Sequence, residues 1–280
     1  MDKKMSVIGA GTMGWGIAQV FATAGYSVAL CDRDISFAEK GKSAMSAGLK
    51  KLVDREKIKS DEADRILSNV TPYEIDNIPQ CSLVIEAIYE DMGVKKELFK
   101  KLEGLLPDDA VFATNTSSLS ITELAGCLKD PSRVVGMHFF NPAVVMKLVE
   151  VIGGAHTDEK VTDRIVAISE EIGKTPVRVN ESAGFVVNRL LIPMINEAVS
   201  VFAEGVSSAA DIDTAMKLGA NHPLGPLSLG DLVGLDVCLA IMEVLQSETG
   251  DDKYRPHPLL KKMVRAGKLG RKSKEGFFKY

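Results

Sequence analysis

The segment that most constrains the fold is the run MSVIGAGTMGWGIAQVFATAGYSVALCD at residues 5–32. An apolar, β-branched stretch meets several glycines, apolar residues then recur at helical spacing up to Gly25, and a second apolar stretch ends at Asp32. This order predicts a strand, a tight turn, a helix and a second strand, which together form a βαβ unit. A chain that begins in this way is expected to build an α/β fold.

The glycines of this unit lie at the turn from the first strand into the helix. Without Cβ atoms, Gly9, Gly11 and Gly14 would let the backbone approach a pyrophosphate, and the helix N-terminus supplies N–H groups and partial positive charge. Asp32 stands where a carboxylate can bind a ribose 2′-hydroxyl. Glycine spacing alone also fits an ordinary turn, but the glycines, the flanking elements and the acid together predict a dinucleotide site.

The predicted cofactor is NAD. A carboxylate at position 32 would repel the 2′-phosphate of NADP, although Arg33 beside it moderates that preference. The predicted contacts within the turn are Gly9, Gly11, Thr12, Met13 and Gly14.

Residues 35–68 interrupt the usual alternation of strand and helix, because they are typical of two charged helices before the next strand-like run, SLVIEAI at residues 82–88. Between residues 40 and 59, seven basic residues stand against two acidic ones. A solvated helix face explains most such runs. Because this excess lies in an acidic protein beside a cofactor domain, a binding surface for a polyanionic substrate is an equal alternative.

Polar side chains follow the next predicted strand, AVFATN at residues 110–115. Groups just beyond the carboxyl ends of strands in an open α/β sheet face the ligand crevice. Asn115 and Ser117 are therefore candidates for contact with cofactor or substrate.

One histidine and one glutamate interrupt the nearly apolar segment GMHFFNPAVVMKLVEV at residues 136–151. An unpaired polar group in such surroundings costs on the order of 2–7 kcal/mol, so each of the two is expected to have a partner. VVGMHFF and KLVEVI are typical of strands, with an Asn-Pro break between them. An antiparallel hairpin centred on residue 144 would place His138 opposite Glu150.

Such a pair could act in general-base catalysis. The glutamate would hold one imidazole nitrogen and fix the tautomer, leaving the other nitrogen to take a proton. The alternative is a core histidine with a structural hydrogen bond. The other three histidines, His156, His222 and His257, lie in turn-like or proline-flanked segments, which makes them poorer candidates for a base.

The last third of the chain is predicted to be helical. After a strand around residues 176–179, a long apolar helix is expected from near Gly184, and SAADIDTAMKLGA, LSLGDLVGLDVCLAIMEVLQ and PLLKKMVRAG also have helical patterns. We therefore expect a Rossmann-type NAD-binding domain with a helical insertion at residues 1–183 and an all-helical domain at residues 184–280. Asn188 lies at the junction, where ligand clefts tend to form.

Composition disfavours several other classes. With 34 basic and 38 acidic residues, the net charge of −4 argues against nucleic acid as the main partner.

The four cysteines are far apart and form no CxxC pair, so neither a zinc site nor a disulfide scaffold is suggested, and a cytoplasmic location is expected. The strand-like start and the lack of a long apolar run predict no targeting segment and no membrane partner. Helices that are apolar on more than one face favour a homodimer or a dimer of dimers.

Several spaced motifs in this order resemble the L-3-hydroxyacyl-CoA dehydrogenase family over the whole chain, most closely its bacterial 3-hydroxybutyryl-CoA dehydrogenases. The motifs are VIGAGTMGWGIA, NTSSLSIT, GMHFFNP, LVEVI, GFVVNRLL, HPLGPLSLGDLVGLD and GRKSKEGFFKY. The resemblance implies a helical C-terminal domain that forms the dimer and closes the active-site cleft, and it implies that no metal is needed.

The resemblance also implies roles for individual residues. His138 would take the proton from the substrate's 3-hydroxyl, Glu150 would orient that histidine, Ser117 would hydrogen-bond the reacting oxygen near the nicotinamide, and Asn188 would help fix the acyl portion. The further NAD contacts that it implies are Glu90, Lys95, Asn141 and Lys272.

The basic helical insertion matches the segment that members of this family use against the CoA phosphates, and Lys50 and Lys51 are the implied contacts. Family members often carry another lysine one turn later, whereas this chain has Asp54 followed by Arg55. Which residue completes the phosphate contact is therefore left open.

The leading hypothesis is a dehydrogenase of L-3-hydroxybutyryl-CoA and acetoacetyl-CoA, in fatty acid or butanoate metabolism. Two alternatives stand beside it. One is an NAD-dependent dehydrogenase of a free hydroxy acid. The other is a dinucleotide-binding structural or sensor protein without catalysis, against which the presence of all four implied catalytic residues argues.

Overall fold

The computed structural model describes residues 3–280. The chain divides into two compact units, with the division between Glu181 and Ser182.

One eight-stranded sheet organises the described part of the first unit, in the order β3-β2-β1-β4-β5-β6-β7-β8. The six strands from β1 to β6 are parallel, β7 is antiparallel to β6, and β8 is parallel to β7. The α/β fold predicted from the glycine turn is confirmed. The strands are β1 Lys4–Ile8, β2 Ser27–Asp32, β3 Val70–Glu74, β4 Leu83–Glu86, β5 Val111–Thr114, β6 Val134–Phe139, β7 Leu148–Gly153 and β8 Thr175–Asn180.

Helices connect these strands. The two helices predicted for residues 35–68 are confirmed as α2 and α3. Apolar faces of the helices pack on the central strands, where side chains such as Val7, Phe21 and Ile85 are fully buried. The helices of this unit are α1 Thr12–Thr23, α2 Ile35–Asp54, α3 Ser60–Ser68, α4 Met92–Glu103, α5 Ile121–Ala125 and α6 Glu159–Glu171.

Strand β3 was not predicted. Its sequence, VTPYE, contains Pro72 and has little apolar alternation. This strand lies at the edge of the sheet and pairs with β2 alone. Proline cannot donate to a ladder hydrogen bond, and an edge strand tolerates that loss. The pattern that identifies a central strand is therefore missing here.

The glycine turn is tightly packed, as the sequence suggested. Gly9 has a φ of 97°, a conformation that residues with a Cβ atom seldom adopt. A Cβ atom on Gly14 would lie 1.6 Å from the carbonyl oxygen of Gly9, so the first turn of α1 and the end of β1 can approach only with glycine at this position.

The second unit is helical in its described residues. Its core includes Ile195, Leu227, Cys238 and Leu245. Its helices are α7 Val187–Ala203, α8 Ala209–Gly219, α9 Pro226–Val233, α10 Leu235–Thr249 and α11 Pro258–Arg265.

Two helix predictions in this unit need correction. The long helix begins at Val187 rather than near Gly184, which has a φ of 70°. The segment LSLGDLVGLDVCLAIMEVLQ, predicted as a single helix over residues 227–246, is broken at Gly234. This glycine has a φ of 104° and stands between the end of α9 and the start of α10. Across residues 3–280, every helix is too short or too polar to cross a bilayer.

We predict that Gly14→Ala lowers the free energy of unfolding by about 3 kcal/mol or more, because the new methyl group meets backbone rather than a movable side chain. Thermal unfolding followed by circular dichroism measures the effect. Gly48→Ala is the matched control. Gly48 lies within α2 with no atom near the new methyl group, so the same change there should stabilise the protein by about 0.5–1 kcal/mol. Equal melting temperatures for the two variants would contradict the prediction.

Candidate active site

His138 and Glu150 face each other across β6 and β7. They are directly paired in the antiparallel register, and the Nδ1 atom of His138 lies 2.8 Å from Oε2 of Glu150. Both side chains are buried, with exposed fractions of 7% and 1%. The hairpin register predicted from the sequence is confirmed.

This contact determines which imidazole nitrogen can act as a base. An ionised carboxylate only accepts hydrogen bonds, so with Glu150 ionised the Nδ1 atom carries a proton and Nε2 is the nitrogen that can take one. The carboxylate also stabilises the imidazolium that forms when Nε2 is protonated. The ring packs against Phe140, with 4.5 Å between the ring centroids, which further limits its rotation.

A cavity of about 810 Å³ lies at the glycine turn of the first unit. Its volume is in the range of small-molecule sites. Four of the predicted cofactor contacts line it, namely Gly9, Gly11, Thr12 and Asp32. Its wall also includes Lys40, from the basic run at residues 40–59, and Phe37, Ile75, Tyr89 and Lys101, which were not predicted.

Asp32 ends β2 at the edge of this cavity. Its Oδ2 atom accepts a hydrogen bond of 2.8 Å from the backbone N–H of Ala10, and its Oδ1 atom accepts one of 2.8 Å from the backbone N–H of Arg33. The carboxylate is thus held beside the glycine turn. The first turn of α1 begins next to this carboxylate, and its backbone N–H groups could bind a pyrophosphate. A ribose attached to that pyrophosphate would then lie close to Asp32, whose carboxylate can accept from a ribose hydroxyl.

A second polar cluster lies beyond the carboxyl ends of β4 and β5. Glu90 accepts hydrogen bonds at Oε1 from the hydroxyl of Thr116, at 2.5 Å, and from the backbone N–H of Ser117, at 2.9 Å. The hydroxyl of Ser117 lies 3.4 Å from the same oxygen. The Oε2 atom of Glu90 lies 3.2 Å from Nζ of Lys95. Three of the predicted site residues, Glu90, Lys95 and Ser117, are therefore joined in one network.

Glu90 is ionised in this network. Burial alone would raise its pKa, but the Lys95 ammonium and the hydrogen bonds from Thr116 and Ser117 outweigh burial, so the pKa lies below its usual range. Lys95 itself is 1% exposed. Its ammonium is engaged by carboxylates, and its predicted contact with NAD stays a prediction.

Asn115 joins two strands at the same edge of the sheet. Its Oδ1 atom accepts a hydrogen bond of 2.8 Å from the backbone N–H of Phe139, the residue after His138. Its own N–H donates to the carbonyl of Glu86 at 2.8 Å. Asn115 is therefore a structural bridge between β4 and β6, and its predicted contact with NAD stays a prediction.

Five further site residues were predicted, three in the first unit and two in the second. Asn141 is exposed just after β6, and Lys50 and Lys51 are exposed near the C-terminal end of α2. In the second unit, Asn188 lies in the first turn of α7, and the ammonium of Lys272 lies 2.5 Å from Asp236. The ligand contacts predicted for these five residues stay predictions.

Sequence reasoning missed Glu86, the last residue of β4. It is fully buried and accepts three hydrogen bonds of 2.6 Å, from the N–H of Ile88, the ammonium of Lys95 and the hydroxyl of Thr114. The signal was present, because an acid inside the apolar run SLVIEAI is the same kind of exception that identified Glu150.

Metal binding and cysteine nucleophiles are two further possibilities that the described residues allow to be examined. No group of three or more histidine, cysteine, aspartate or glutamate side chains in residues 3–280 could hold a metal ion. The four cysteines are free thiols. Burial raises the pKa of Cys31 and Cys238 to about 12, so these two thiols are protonated at neutral pH and are poor nucleophiles.

Comparison with known proteins gives two family matches that together cover nearly all of the chain. Residues 4–182 match the NAD-binding domain of 3-hydroxyacyl-CoA dehydrogenase. Residues 184–280 match the C-terminal domain of 3-hydroxyacyl-CoA dehydrogenase.

Full-length relatives agree with these matches. The chain is 55% identical over 280 residues to a 3-hydroxybutyryl-CoA dehydrogenase of Clostridioides difficile, covering 99% of each protein. It is 48% identical over 279 residues to a probable 3-hydroxybutyryl-CoA dehydrogenase of Bacillus subtilis, covering 99% of this chain and 97% of the relative. Among solved structures, it matches the (S)-3-hydroxybutyryl-CoA dehydrogenase of Ralstonia eutropha with a TM-score of 0.97 and 43% identity, over 100% of this chain and 99% of the other.

Proposed function

Because the chain belongs to the 3-hydroxyacyl-CoA dehydrogenase family, we propose that it interconverts L-3-hydroxybutyryl-CoA and acetoacetyl-CoA by hydride transfer with NAD(H). The family resemblance predicted from the sequence is confirmed, and the Rossmann unit is the NAD-binding domain of the family. The observation that carries the proposed chemistry is the buried contact of 2.8 Å between His138 and Glu150.

His138 is the proposed general base. In the oxidising direction its Nε2 atom takes the proton of the 3-hydroxyl, and in the reducing direction it returns that proton to the forming alkoxide. Glu150 keeps the ring in the required tautomer and offsets its positive charge. When bound, the nicotinamide accepts or supplies the hydride.

The glycine turn and Asp32 would hold the cofactor. Residues Gly9, Gly11 and Thr12 line the cavity beside Asp32, which suits a pyrophosphate and an adenosine ribose. Ser117 is the proposed hydrogen-bond donor to the reacting oxygen. Its backbone is tied to Glu90 by a hydrogen bond of 2.9 Å, which supports a fixed position for this residue.

The basic face of α2 is the proposed contact for the CoA phosphates. Lys50 and Lys51 are both exposed near the C-terminal end of this helix, so their ammonium groups are accessible to an anion. Lys42 is a weaker candidate, because its ammonium already donates to the carbonyl of Val70 at 2.6 Å.

We also propose that the enzyme is a homodimer and that it works in the cytoplasm. Three apolar side chains of the helical unit are highly exposed, namely Leu190, Val206 and Leu218, at 70%, 69% and 83%. Contact with a second subunit would remove such side chains from water. The four free thiols suit a reducing compartment.

The proposed activity is tested by following NADH consumption with acetoacetyl-CoA. We expect turnover with this thioester and far lower kcat/KM with acetoacetate, because the free acid cannot engage the basic face of α2. Comparable kcat/KM for the two substrates would favour the free hydroxy acid alternative. NADH binding without consumption of either substrate would favour a structural or sensor protein.

We predict that His138→Ala lowers kcat by about 10²- to 10⁴-fold, because the variant lacks the proposed base. NADH affinity, measured by fluorescence titration, should stay within about twofold, since the dinucleotide cavity is not lined by this residue. His156→Ala, which changes an exposed histidine in a turn, is the control and should behave like the wild type. Near-normal turnover by His138→Ala would refute the assignment.

We predict that the double change of Lys50 and Lys51 to Ala raises the KM for acetoacetyl-CoA about tenfold or more while the KM for NADH changes little. The matched control is the double change of Lys129 and Lys160 to Ala, which removes the same charge from exposed sites elsewhere in the unit. Steady-state kinetics at two salt concentrations measures the KM for acetoacetyl-CoA and the KM for NADH of each double variant. An equal rise in the KM for the thioester in both double variants would indicate long-range charge rather than a phosphate contact, and no rise in either would also contradict the proposed contact.

A further inference from the structure

Glu86 lies beneath the site rather than in it. Its side chain is fully buried at the end of β4, and both carboxylate oxygens are occupied. The Oε1 atom accepts hydrogen bonds from the N–H of Ile88 and the ammonium of Lys95, and the Oε2 atom accepts one from the hydroxyl of Thr114, each at 2.6 Å. Three donors from three different segments therefore converge on one carboxylate.

Two chains of contacts lead from Glu86 to the loop that carries Ser117. The first passes through the Lys95 ammonium to Oε2 of Glu90, whose Oε1 atom holds the N–H of Ser117. The second passes through the hydroxyl of Thr114, which accepts a hydrogen bond of 3.2 Å from the N–H of Thr116. Both chains begin at the same buried carboxylate.

A third contact leads from Glu86 to the dinucleotide cavity. The N–H of Ile88 donates to Glu86, and Ala87 and Ile88 line that cavity. The carbonyl oxygen of Ala87 also approaches Gly9, since a Cβ atom there would lie 2.6 Å from it. The carboxylate thus fixes one wall of the cavity as well as the Ser117 loop.

From this convergence we propose that Glu86 is a positioning residue for hydride transfer, which sets the places of Glu90, Ser117 and the cavity wall without touching substrate or cofactor. This role rests on the proposed dehydrogenase function. Lys95 acts in the same network, as the cation that transmits the position of Glu86 to Glu90.

Glu86→Gln is the direct test, because it keeps the shape and removes the charge. A glutamine oxygen can still accept from Ile88 and Lys95, but its NH₂ group then faces the hydroxyl of Thr114, which loses its acceptor. We expect kcat to fall about 10- to 100-fold, since small misplacements of reacting groups have effects of that size. We expect the KM for NADH to rise about fivefold or more, and the KM for acetoacetyl-CoA to stay within about twofold because the proposed phosphate contacts lie on α2.

These kinetics separate positioning from folding. A purely structural role would lower the maximal rate in proportion to the folded fraction, measured by circular dichroism, and would leave both KM values unchanged. Glu103→Gln is the matched control. Glu103 lies on α4 in another largely buried ion pair, 3.3 Å from Arg133, and its variant should keep wild-type kcat and KM. An unchanged kcat and NADH KM in folded Glu86→Gln, or equal changes in Glu103→Gln, would overturn the proposal.

A second variant serves if Glu86→Gln does not fold. The double change Glu86→Gln with Lys95→Met removes both members of the buried ion pair, so it should fold better than Lys95→Met alone, which leaves the buried carboxylate of Glu86 without its cation. We expect it to regain stability but not activity, because Glu90 has lost the ammonium that holds it. Wild-type kcat and NADH KM in this double variant would overturn the proposal.

Failure of the proposed function gives a different result. If the wild-type protein does not consume NADH with acetoacetyl-CoA, the dehydrogenase assignment fails. Fluorescence titration with NADH alone then still tests Glu86. Weaker binding by Glu86→Gln than by Glu103→Gln would support its effect on the cavity, and equal binding would exclude it.

Discussion

The antiparallel register between β6 and β7 is the constraint on which the proposed chemistry depends. His138 is paired with Glu150 in this register, and the neighbouring pairs are Met137 with Val151 and Phe139 with Val149. These neighbours are apolar and buried. Because side chains alternate between the two faces of a sheet, a slip of one residue would move them and the glutamate to the opposite faces. Both faces of these strands are buried, so such a slip would leave the glutamate without His138 among apolar side chains, which is costly. The buried pair therefore helps to fix the register that brings it together.

The buried charges of the first unit are difficult to explain by stability alone. Replacing a buried ion pair with apolar side chains of similar volume is often neutral or stabilising, since desolvation offsets much of the attraction. The pair of Glu86 and Lys95 is almost completely buried. Besides the Lys95 ammonium, the carboxylate of Glu86 accepts hydrogen bonds from the N–H of Ile88 and the hydroxyl of Thr114. A fully satisfied network has defined geometry, which an apolar cluster of the same volume would not supply at this edge of the sheet. The proposed role of Ser117 requires such a defined geometry of its loop.

Much of the fold could be predicted because the relevant signals are local. The glycine turn, the acid at the end of β2 and the polar pair in an apolar hairpin are each contained in a short stretch of sequence. The features that were missed depend on neighbours far along the chain. Pro72 is tolerated because β3 happens to be an edge strand, and the break at Gly234 depends on a positive φ that helical periodicity does not reveal. Glu86 could be recognised as an acid in an apolar strand, but its partner Lys95 lies in the first turn of α4, after an intervening loop. Neither strand nor helix periodicity relates two residues separated in this way.

The two polar clusters of the first unit are parts of one connected edge. Glu86, Thr114 and Phe139 end three adjacent strands, β4, β5 and β6. Asn115 crosses between them, since it donates to the carbonyl of Glu86 and accepts from the N–H of Phe139. The backbone beside His138 is therefore held to the same strand end that organises the Ser117 loop. Parallel strands bring their carboxyl ends to one edge, so residues far apart in sequence meet there. The proposed base and the loop of the proposed hydrogen-bond donor can therefore share one rigid support.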